Sequence, residues 1–179
     1  MKISEDKILV FDADVLIHFI KSGSFSELRK ILPNNKKVVL QKVYEEVQVF
    51  KSSKQILDSA IHVFKFIDLI DFPISTDMMR EFAYLTSPLM DIGKGESACM
   101  SYCKFTDDVV VSSNLSDVNE YCKRHTIDLL TTMDLVLWAF EEGLWSEEYC
   151  DTFITVVLKK GGRLPCKSIK EYQDKKSRS

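Results

Sequence analysis

The sequence predicts a single-domain α/β protein in which a central parallel sheet of four to five strands is flanked by helices. Short apolar runs alternate along the chain with longer stretches whose apolar residues recur at helical spacing. This alternation is typical of parallel sheets that helices cover on both faces. The length of 179 residues suits one domain with one hydrophobic core.

The first strand is predicted at Ile8–Phe11, an uninterrupted apolar run that ends abruptly at Asp12. Apolar residues resume at helical spacing over Val15–Phe19, so a helix follows at once. Ligand sites of parallel sheets lie just beyond the carboxyl ends of the strands, which makes Asp12 a candidate site residue. The alternative is that Asp12 and Asp14 only cap this helix, since aspartate accepts hydrogen bonds from free N–H groups at helix starts.

Three elements are predicted in the next part of the chain. Ser24–Glu27 has the Ser-x-x-Glu form of a capping box, which indicates a short helix. Val38–Leu40 is predicted as the second strand, because it is a short β-branched and apolar run that follows a turn. Lys42–Phe50 is predicted as the helix after it.

Glu46 is the second candidate site residue. It lies inside the apolar face of its predicted helix, three residues after Val43 and four before Phe50, whereas Glu45 lies off that face and is expected in solvent. A carboxylate that faces the core is costly unless a positive charge compensates it. The alternative is that the Glu46 side chain reaches around the helix to a surface lysine such as Lys42.

Glu96 is the third candidate. A strand is predicted over His62–Ile67 and a helix over Asp77–Leu85, after which the glycine-containing segment Pro88–Gly95 leads into a further helix. Glu96 falls in the first turn of that helix and shares a face with apolar members of Cys99–Cys103. A second helix therefore directs a carboxylate at apolar neighbours.

Polar residues also follow the fourth predicted strand, Val109–Val111, where Ser112–Asp117 begin the next connection. Ile127–Leu130 is predicted as the fifth strand, with two long helices after it. Residues 1–166 are assigned to the domain. Lys167–Ser179 is polar and mixed in charge, and we expect a frayed C-terminal tail that is available to a partner.

Composition excludes several classes of protein. A net charge of −3 and a pI of about 5.7 provide no global positive field for nucleic acid, so any phosphate contact must be local. No apolar run approaches the roughly 20 residues of a membrane span, and the N-terminus lacks the apolar block of a signal peptide. The five cysteines form no Cys-x-x-Cys pair and indicate neither a disulfide framework nor a zinc site. We expect a cytoplasmic protein without a membrane partner.

Two motifs resemble those of the haloacid-dehalogenase-like phosphatases. Phe11–Asp14 resembles their strand followed by Asp-x-Asp, and Val110–Ser112 resembles their second motif, a strand that ends in Ser or Thr. That family also needs a lysine and a later acidic pair that holds magnesium at the end of a further strand. The later strand here ends in Thr131–Thr132, so the resemblance stops at two motifs.

A second resemblance covers most of the chain. Val10–Ile17 resembles the opening strand and first catalytic aspartate of the PIN-domain family of metal-dependent ribonucleases. Val43–Val47 resembles the helix that carries the second acid of that family, which corresponds to Glu46. Asp91–Glu96 resembles the Asp-x-Gly-Glu form of the third acid in one toxin-like PIN subgroup, which corresponds to Glu96.

The fourth acid position of the PIN family and its C-terminal helices also have counterparts. Val111–Asn114 is similar to the Thr-x-Asp/Asn turn of the family, which corresponds to Asn114. Thr132–Leu144 and Leu158–Leu164 resemble the C-terminal helices of the same subgroup. The resemblance implies a PIN-like three-layer sandwich and an endoribonuclease that depends on a divalent metal.

The residues and the resemblance point to the same carboxylates. Asp12, Glu46 and Glu96 are turned inward, and like charges held together destabilise a site unless a cation compensates them. Oxygen ligands without histidine or cysteine favour Mg²⁺ or Mn²⁺ over zinc. We expect Asp12 and Glu96 as principal ligands and Glu46 as a ligand or an orienter of water. Asn114, or Asp117 one helical turn later, is expected to complete the set.

The resemblance also implies partners. The expected substrate is single-stranded or structured RNA, with an antitoxin-like protein and a second copy of the chain, in a homodimer, as further partners. The alternative is a PIN-fold protein with weakened catalysis that serves as an RNA-binding or protein-interaction module. Asn114 supports that alternative, because many members of the family carry aspartate there and asparagine supplies no charge.

Overall fold

The computed structural model describes residues 3–178 and is built around a single parallel sheet. The strands are β1 (Leu9–Phe11), β2 (Lys37–Leu40), β3 (Asp68–Ile70), β4 (Val109–Val111) and β5 (Leu129–Leu130). They lie side by side in the order β3-β2-β1-β4-β5, and every neighbouring pair is parallel. The predicted fold class, a parallel sheet of four to five strands flanked by helices, is confirmed.

Helices connect the strands and cover the sheet. They are α1 (Ala13–Ser22), α2 (Gln41–Val47), α3 (Lys51–Asp58), α4 (Thr76–Leu85), α5 (Lys94–Thr106), α6 (Leu115–His125), α7 (Thr132–Glu141), α8 (Glu147–Lys159) and α9 (Ile169–Ser177). Helix α5 packs against α2, α4 and α6, whereas α8 packs against α1, α7 and α9. All residues of β1, β2 and β4 are buried, which requires cover on both faces because successive side chains point to opposite sides.

The strand order creates a switch point between β1 and β4. From β1 the chain winds outward through β2 and β3, and it then returns to the other side of β1 to add β4 and β5. The connections on the two sides leave the sheet in opposite directions, so a crevice opens at the carboxyl ends of β1 and β4. Asp12 follows β1 and Ser112 follows β4, and both therefore lie at this crevice.

Two predicted elements are wrong in position. His62 and Val63 belong to a short π-helix, Ser59–Val63, and the third strand starts only at Asp68. The predicted helix Lys42–Phe50 stops at Val47, and Phe50 is extended and 62% exposed. Apolar residues at these positions suggested buried faces, but they lie on the surface.

The capping box predicted at Ser24–Glu27 is also wrong. The Ser24 hydroxyl makes no cap hydrogen bond and pairs with the Tyr149 hydroxyl at 2.9 Å. Phe25–Arg29 forms a short 3-10 helix, with Phe25 and Leu28 buried. The Ser24 side chain therefore binds Tyr149 of α8, whereas the local sequence pattern predicted that it caps the short helix.

The C-terminal segment Ile169–Ser177 is a packed helix, so the frayed tail predicted for Lys167–Ser179 is wrong for these residues. Ser179 lies outside the described residues. Ile169, the first residue of α9, is fully buried, and its N–H donates to an Asp151 oxygen at 2.8 Å. The Tyr172 hydroxyl donates to Asp134 Oδ1 at 2.9 Å, and the Lys176 ammonium pairs with the same oxygen. Helix α9 thus joins α7 and α8 through one buried apolar side chain and a polar anchor.

Ile169→Ala is expected to lower the free energy of unfolding by about 2–5 kcal/mol, because it empties a fully buried site between helices. Urea denaturation measures the change. Lys170→Ala is the control, since Lys170 makes only a surface ion pair with Glu147 and should cost less than about 1 kcal/mol. Equal effects of the two substitutions would show that α9 does not belong to the cooperative core.

Candidate functional site

Asp12 anchors the candidate site at the end of β1. Its N–H donates to the Val111 carbonyl at 2.9 Å, which extends the pairing of β1 with β4 by one residue. Its carboxylate, only 2% exposed, accepts from the N–H of Ala13 at 2.7 Å and from the Ser112 hydroxyl at 2.9 Å. Asp12 therefore caps α1, as the alternative interpretation held, and also faces the crevice.

The surroundings of Asp12 disfavour its negative charge. Burial raises the pKa of Asp12 well above its usual range, and the nearby carboxylates of Asp14 and Glu96 add to that rise. The two hydrogen bonds from Ala13 and Ser112 lower the pKa but do not offset the burial. A buried carboxyl with acidic neighbours is the local condition that a bound cation relieves.

Asp14 belongs to the same cluster, although the sequence indicated it only as a helix cap and as the second aspartate of the Asp-x-Asp motif. Its carboxylate accepts from the N–H of Ser113 at 2.8 Å and from its neighbour Val15 at 2.6 Å. Burial raises the pKa of Asp14 to about 6, and Glu96 contributes to the rise. The indication in the sequence was its place in the first turn of α1, two residues after Asp12, where a side chain lies close to the strand ends.

Glu46 reaches the cluster from α2. Its carboxylate accepts from the N–H of Gly95 at 2.7 Å. The Glu46 side chain is exposed, so the prediction that it faces the core is wrong, although it still reaches the start of α5. Burial raises the pKa of Glu46, the hydrogen bond from Gly95 opposes the rise, and Glu96 adds to it. Lys42 pairs with Glu45 at 3.1 Å, so the alternative pairing of Glu46 with Lys42 is wrong.

Two glycines at the start of α5 make room for the two glutamates. A Cβ at position 95 would lie 2.7 Å from Glu46 Oε2, and a Cβ at position 93 would overlap Glu96 Oε2. Gly93 is the N-cap residue of α5, and Gly95 lies in its first turn. Because Gly93 and Gly95 have no side chain, the carboxylates of Glu46 and Glu96 can lie close to the helix backbone.

Asn114 connects Glu96 to the start of α6. Its side-chain nitrogen donates to Glu96 Oε1 at 2.6 Å and to Asp117 Oδ2 at 2.9 Å. Its side-chain oxygen accepts from the Ser116 hydroxyl at 2.7 Å. Asn114 was predicted to bind a cation through this oxygen. In the structure its amide nitrogen instead donates hydrogen bonds to the carboxylates of Glu96 and Asp117. Asp117 is exposed and meets the site only through Asn114.

The structure thus brings Asp12, Glu46, Glu96 and Asn114 to one edge of the sheet, with Asp117 at the rim. Within residues 3–178, no three or more His, Cys, Asp or Glu side chains are already arranged to hold a metal ion. The donor chemistry still fits a hard divalent cation, because the predicted ligand atoms are all oxygens and the carboxylates raise one another's pKa.

A polar chain leads from the site into the core. The N–H of Thr132 donates to the Ser113 hydroxyl, which in turn donates to the Thr132 oxygen at 2.9 Å. The Thr132 hydroxyl also lies within hydrogen-bond distance of Nδ1 of His18, 2.9 Å away. The His18 ring is buried, and burial lowers its pKa to about 4, which favours the neutral ring.

Two cavities adjoin the acidic cluster, and each contains one arginine. One, of about 290 Å³, is lined by Ser113, Tyr172 and Arg163 among others. The other, of about 210 Å³, is lined by Asp117 and Arg124 among others. Arg124 pairs with Glu120 of the same cavity at 2.9 Å, so Arg163 is the candidate for the predicted local phosphate contact.

Searches of the chain against protein-family models and against curated protein sequences give no match. Among residues 3–178, no helix combines the length and the apolar composition that a membrane span requires. The candidate function is consequently argued from the geometry of the crevice and from the resemblance of the sequence motifs.

Gly95→Ala is expected to separate stability from function. Helix propensity alone would stabilise α5 by about 1 kcal/mol, while the new Cβ displaces the flexible end of Glu46 from the Gly95 N–H. We expect the free energy of unfolding to change by less than about 1 kcal/mol and Mn²⁺ affinity to fall about tenfold or more. Urea denaturation and calorimetric titration measure the two quantities.

The same substitution in a Glu46→Gln background is the control for this effect. If Gly95→Ala acts through Glu46, it should add little once the carboxylate is gone, because coupled residues are not additive. A full additional tenfold loss in the double variant would show that position 95 affects the site through the backbone of α5.

Proposed function

We propose that this protein is a divalent-metal-dependent endoribonuclease of the PIN-like kind, with Mg²⁺ or Mn²⁺ as its cofactor. The observation that carries the proposal is the crowding of Asp12, Asp14, Glu46 and Glu96 at the switch point of a parallel sheet. Within residues 3–178, none of these four carboxylates forms an ion pair with a lysine or arginine. Uncompensated carboxylates at a ligand-binding edge favour a cation site over a purely structural one.

In this proposal Asp12, Glu46 and Glu96 hold the cation through carboxylate oxygens, and Asn114 or Asp117 completes the set. When bound, the cation supplies the Lewis acidity that phosphodiester hydrolysis requires. Ser112 fixes Asp12 through its hydroxyl, and the N–H of Gly95 fixes Glu46. These hydrogen bonds orient the ligand oxygens before the cation arrives.

The proposed substrate is RNA, and its backbone would follow the cavity that contains Arg163 and Tyr172. Arg163 has no hydrogen bond or ion pair with another described residue, so its guanidinium is available to a phosphate. A cytoplasmic location, an antitoxin-like protein partner and a homodimer complete the proposal, and they rest on the resemblance alone. A PIN-fold protein with weakened catalysis is the alternative, since Asn114 adds no charge to the site.

A phosphatase of the haloacid-dehalogenase kind is the second candidate function, and one contact favours it. The Ser112 hydroxyl lies 2.9 Å from Asp12 Oδ2, so the Asp-x-Asp motif and the Ser at a neighbouring strand end do meet. That function gives no role to Glu46 or to the glycines at the start of α5. The ribonuclease explains more of the cluster.

The deciding experiment incubates the purified protein with labelled single-stranded RNA and, separately, with a generic phosphomonoester. Each substrate is tested with Mn²⁺, Mg²⁺ or EDTA. Cleavage of RNA that EDTA abolishes supports the ribonuclease. Metal-dependent release of phosphate from the monoester without RNA cleavage supports the phosphatase. RNA binding without either reaction supports the PIN-fold protein with weakened catalysis that serves as an RNA-binding module.

Asn114→Asp is expected to tighten Mn²⁺ binding about fivefold, because a charged oxygen replaces a neutral group beside Glu96. RNA cleavage should then need less metal. The variant should also be less stable in EDTA, since the two hydrogen bonds from the Asn114 amide are lost and a further negative charge is added. Calorimetric titration and urea denaturation measure these effects.

Asp117→Asn is the matched substitution and should change Mn²⁺ affinity less than about twofold, because Asp117 is exposed at the rim. A large loss in Asp117→Asn with unchanged affinity in Asn114→Asp would assign the fourth ligand to Asp117. It would also remove the main argument for weakened catalysis.

A further inference from the structure

A basic cavity lies at the edge of the sheet opposite to the acidic cluster, where β2 and β3 begin. The cavity has a volume of about 330 Å³, and its lining includes four cations, Arg29, Lys36, Lys37 and Lys65, but among the described residues only one carboxylate, Asp68. The whole chain carries a net charge of −3. The excess of positive charge at this one concave site is therefore opposite in sign to the charge of the protein.

Lys37 is the buried cation of this cavity. Its side chain is 5% exposed, and its ammonium donates to the carbonyls of Leu32 at 2.9 Å and Asn35 at 3.1 Å. An ammonium has three N–H groups, so one remains for a ligand. Within residues 3–178 no carboxylate pairs with Lys37, and burial lowers its pKa to about 8. A buried cation without an anion is costly unless a ligand supplies the negative charge.

Two further cations of the cavity have no partner in the described part of the chain. Arg29 and Lys65 are exposed, and neither makes a side-chain hydrogen bond or ion pair with another described residue. Lys36 differs, because its ammonium pairs with Asp68 at 2.9 Å. Arginine and lysine together suit a phosphate group, since guanidinium binds two of its oxygens at once and ammonium adds a point charge.

An apolar groove adjoins the basic cavity, and Phe66 lines both. The groove has a volume of about 440 Å³, and its apolar wall includes Phe25, Ile56 and Phe64. Phe64 is 65% exposed, whereas Phe66 is half-buried and packs against Phe25 with ring centroids 6.1 Å apart. Ser52, Gln55 and Ser59 add polar groups to the wall that could bind the edge of a flat ring.

We propose that the basic cavity and the apolar groove form one binding site for a nucleoside monophosphate. The phosphate lies between Arg29, Lys37 and Lys65, and the base lies in the groove against Phe66. The phosphate provides the charge that Lys37 lacks, and the base covers aromatic surface that is otherwise in contact with water. This site is at the far edge of the sheet from the acidic cluster and does not depend on the proposed ribonuclease activity.

Calorimetric titration of the full chain with AMP, adenosine and inorganic phosphate tests the proposal, in EDTA and at low salt. AMP is expected to bind at least about tenfold more tightly than adenosine or inorganic phosphate. Arg29→Gln and Lys65→Gln should each weaken AMP binding about tenfold and leave adenosine binding unchanged. Phe64→Ser should weaken the binding of AMP but not that of inorganic phosphate.

Lys30→Gln is the control, because Lys30 is adjacent to Arg29 but pairs with Glu27 and does not line the cavity. It should leave AMP affinity unchanged. The variants of Arg29, Lys65 and Phe64 change exposed side chains, and unaltered thermal unfolding verifies that they fold. A 5′-phosphorylated oligonucleotide is also tested in competition with AMP. If it displaces AMP but binds no more tightly than AMP does, the site recognises a single nucleotide.

Four results would overturn the proposal. The first is the absence of saturable AMP binding at concentrations up to about 10 mM. The second is AMP binding that Arg29→Gln and Lys65→Gln leave unchanged. The third is inorganic phosphate binding as tightly as AMP, because the groove would then contribute nothing to recognition. An oligonucleotide that binds where AMP does not would likewise exclude a mononucleotide site.

Discussion

Asp12→Asn is expected to reduce metal-dependent RNA cleavage by about 10³-fold, the largest effect of any single substitution in this chain. Asparagine retains an oxygen that can accept from the N–H of Ala13, so the cap of α1 and the path of the backbone are preserved. What is lost is the charge of the most buried carboxylate in the crevice. Cleavage of labelled RNA at saturating Mn²⁺ measures the loss.

The same substitution is expected to stabilise the metal-free protein at pH 7.5, because it removes a negative charge that burial and the neighbouring carboxylates disfavour. Burial and the neighbouring carboxylates raise the pKa of Asp12 in the folded state, so its ionised form favours unfolding. The destabilisation is present above the folded pKa and disappears as the pH falls toward 3.8, the value of an unperturbed aspartate. The gain from Asp12→Asn should vanish over the same pH range.

Asp134→Asn is the matched control for Asp12→Asn. Asp134 is also a buried carboxylate at the start of a helix that follows a strand, but it caps α7 and binds Tyr172 and Lys176. Its substitution should reduce stability and change cleavage less than about threefold. If Asp12→Asn cleaved RNA at the rate of the wild type, Asp12 would be excluded as a ligand and would remain only a helix cap.

Acidification is expected to remove about 3 kcal/mol of stability through His18 alone. Burial lowers the pKa of His18 from 6.5 to about 4, so the folded state favours the neutral ring. This contribution is fully present above pH 6.5 and is lost as the pH falls from 6.5 toward 4, at about 1.4 kcal/mol per pKa unit.

The measurement compares wild type and His18→Gln by urea denaturation in EDTA between pH 7.5 and pH 4.5. The difference between the two proteins isolates His18, because both retain the carboxylates of the crevice, whose pKa shifts act in the opposite direction. We expect the advantage of the wild type to shrink by about 3 kcal/mol over this range. His62→Gln, at an exposed position, is the control substitution. A constant difference for His18→Gln would show that the ring is hydrated.

The sequence predicted the order of strands and helices well where one buried run is bounded by clear polar residues. Leu9–Phe11 and Val109–Val111 are such runs, and their ends located both sides of the crevice. The third strand was misplaced because Val63 and Phe64 are exposed. The sequence alone does not distinguish an apolar residue on the surface from one in the core. Helix α9 was missed because it is stabilised by contacts with distant segments. These are the burial of Ile169 and the hydrogen bond from the Tyr172 hydroxyl to Asp134.

Helix phase indicated correctly that Glu96 is partly buried beside α5, but it was wrong for Glu46, which is exposed, as is Phe50, one of the residues used for the phase. Two features of the site had no local pattern. The amide of Asn114 turns its nitrogen toward Glu96, and Asp14 is held by the Ser113 N–H on another strand connection. Both depend on contacts between segments distant in sequence, which spacing along one helix or strand does not encode.

The two outer strands of the sheet have a consequence for aggregation. An edge strand exposes unpaired backbone groups that can recruit a strand of another molecule, and short, charged or twisted edges suppress this. Here the edges are β3, three residues that begin with the charged Asp68, and β5, two residues. So little free edge is available that sheet-to-sheet growth into fibrils is disfavoured, and self-assembly or capture of an extended peptide must use helices or loops instead.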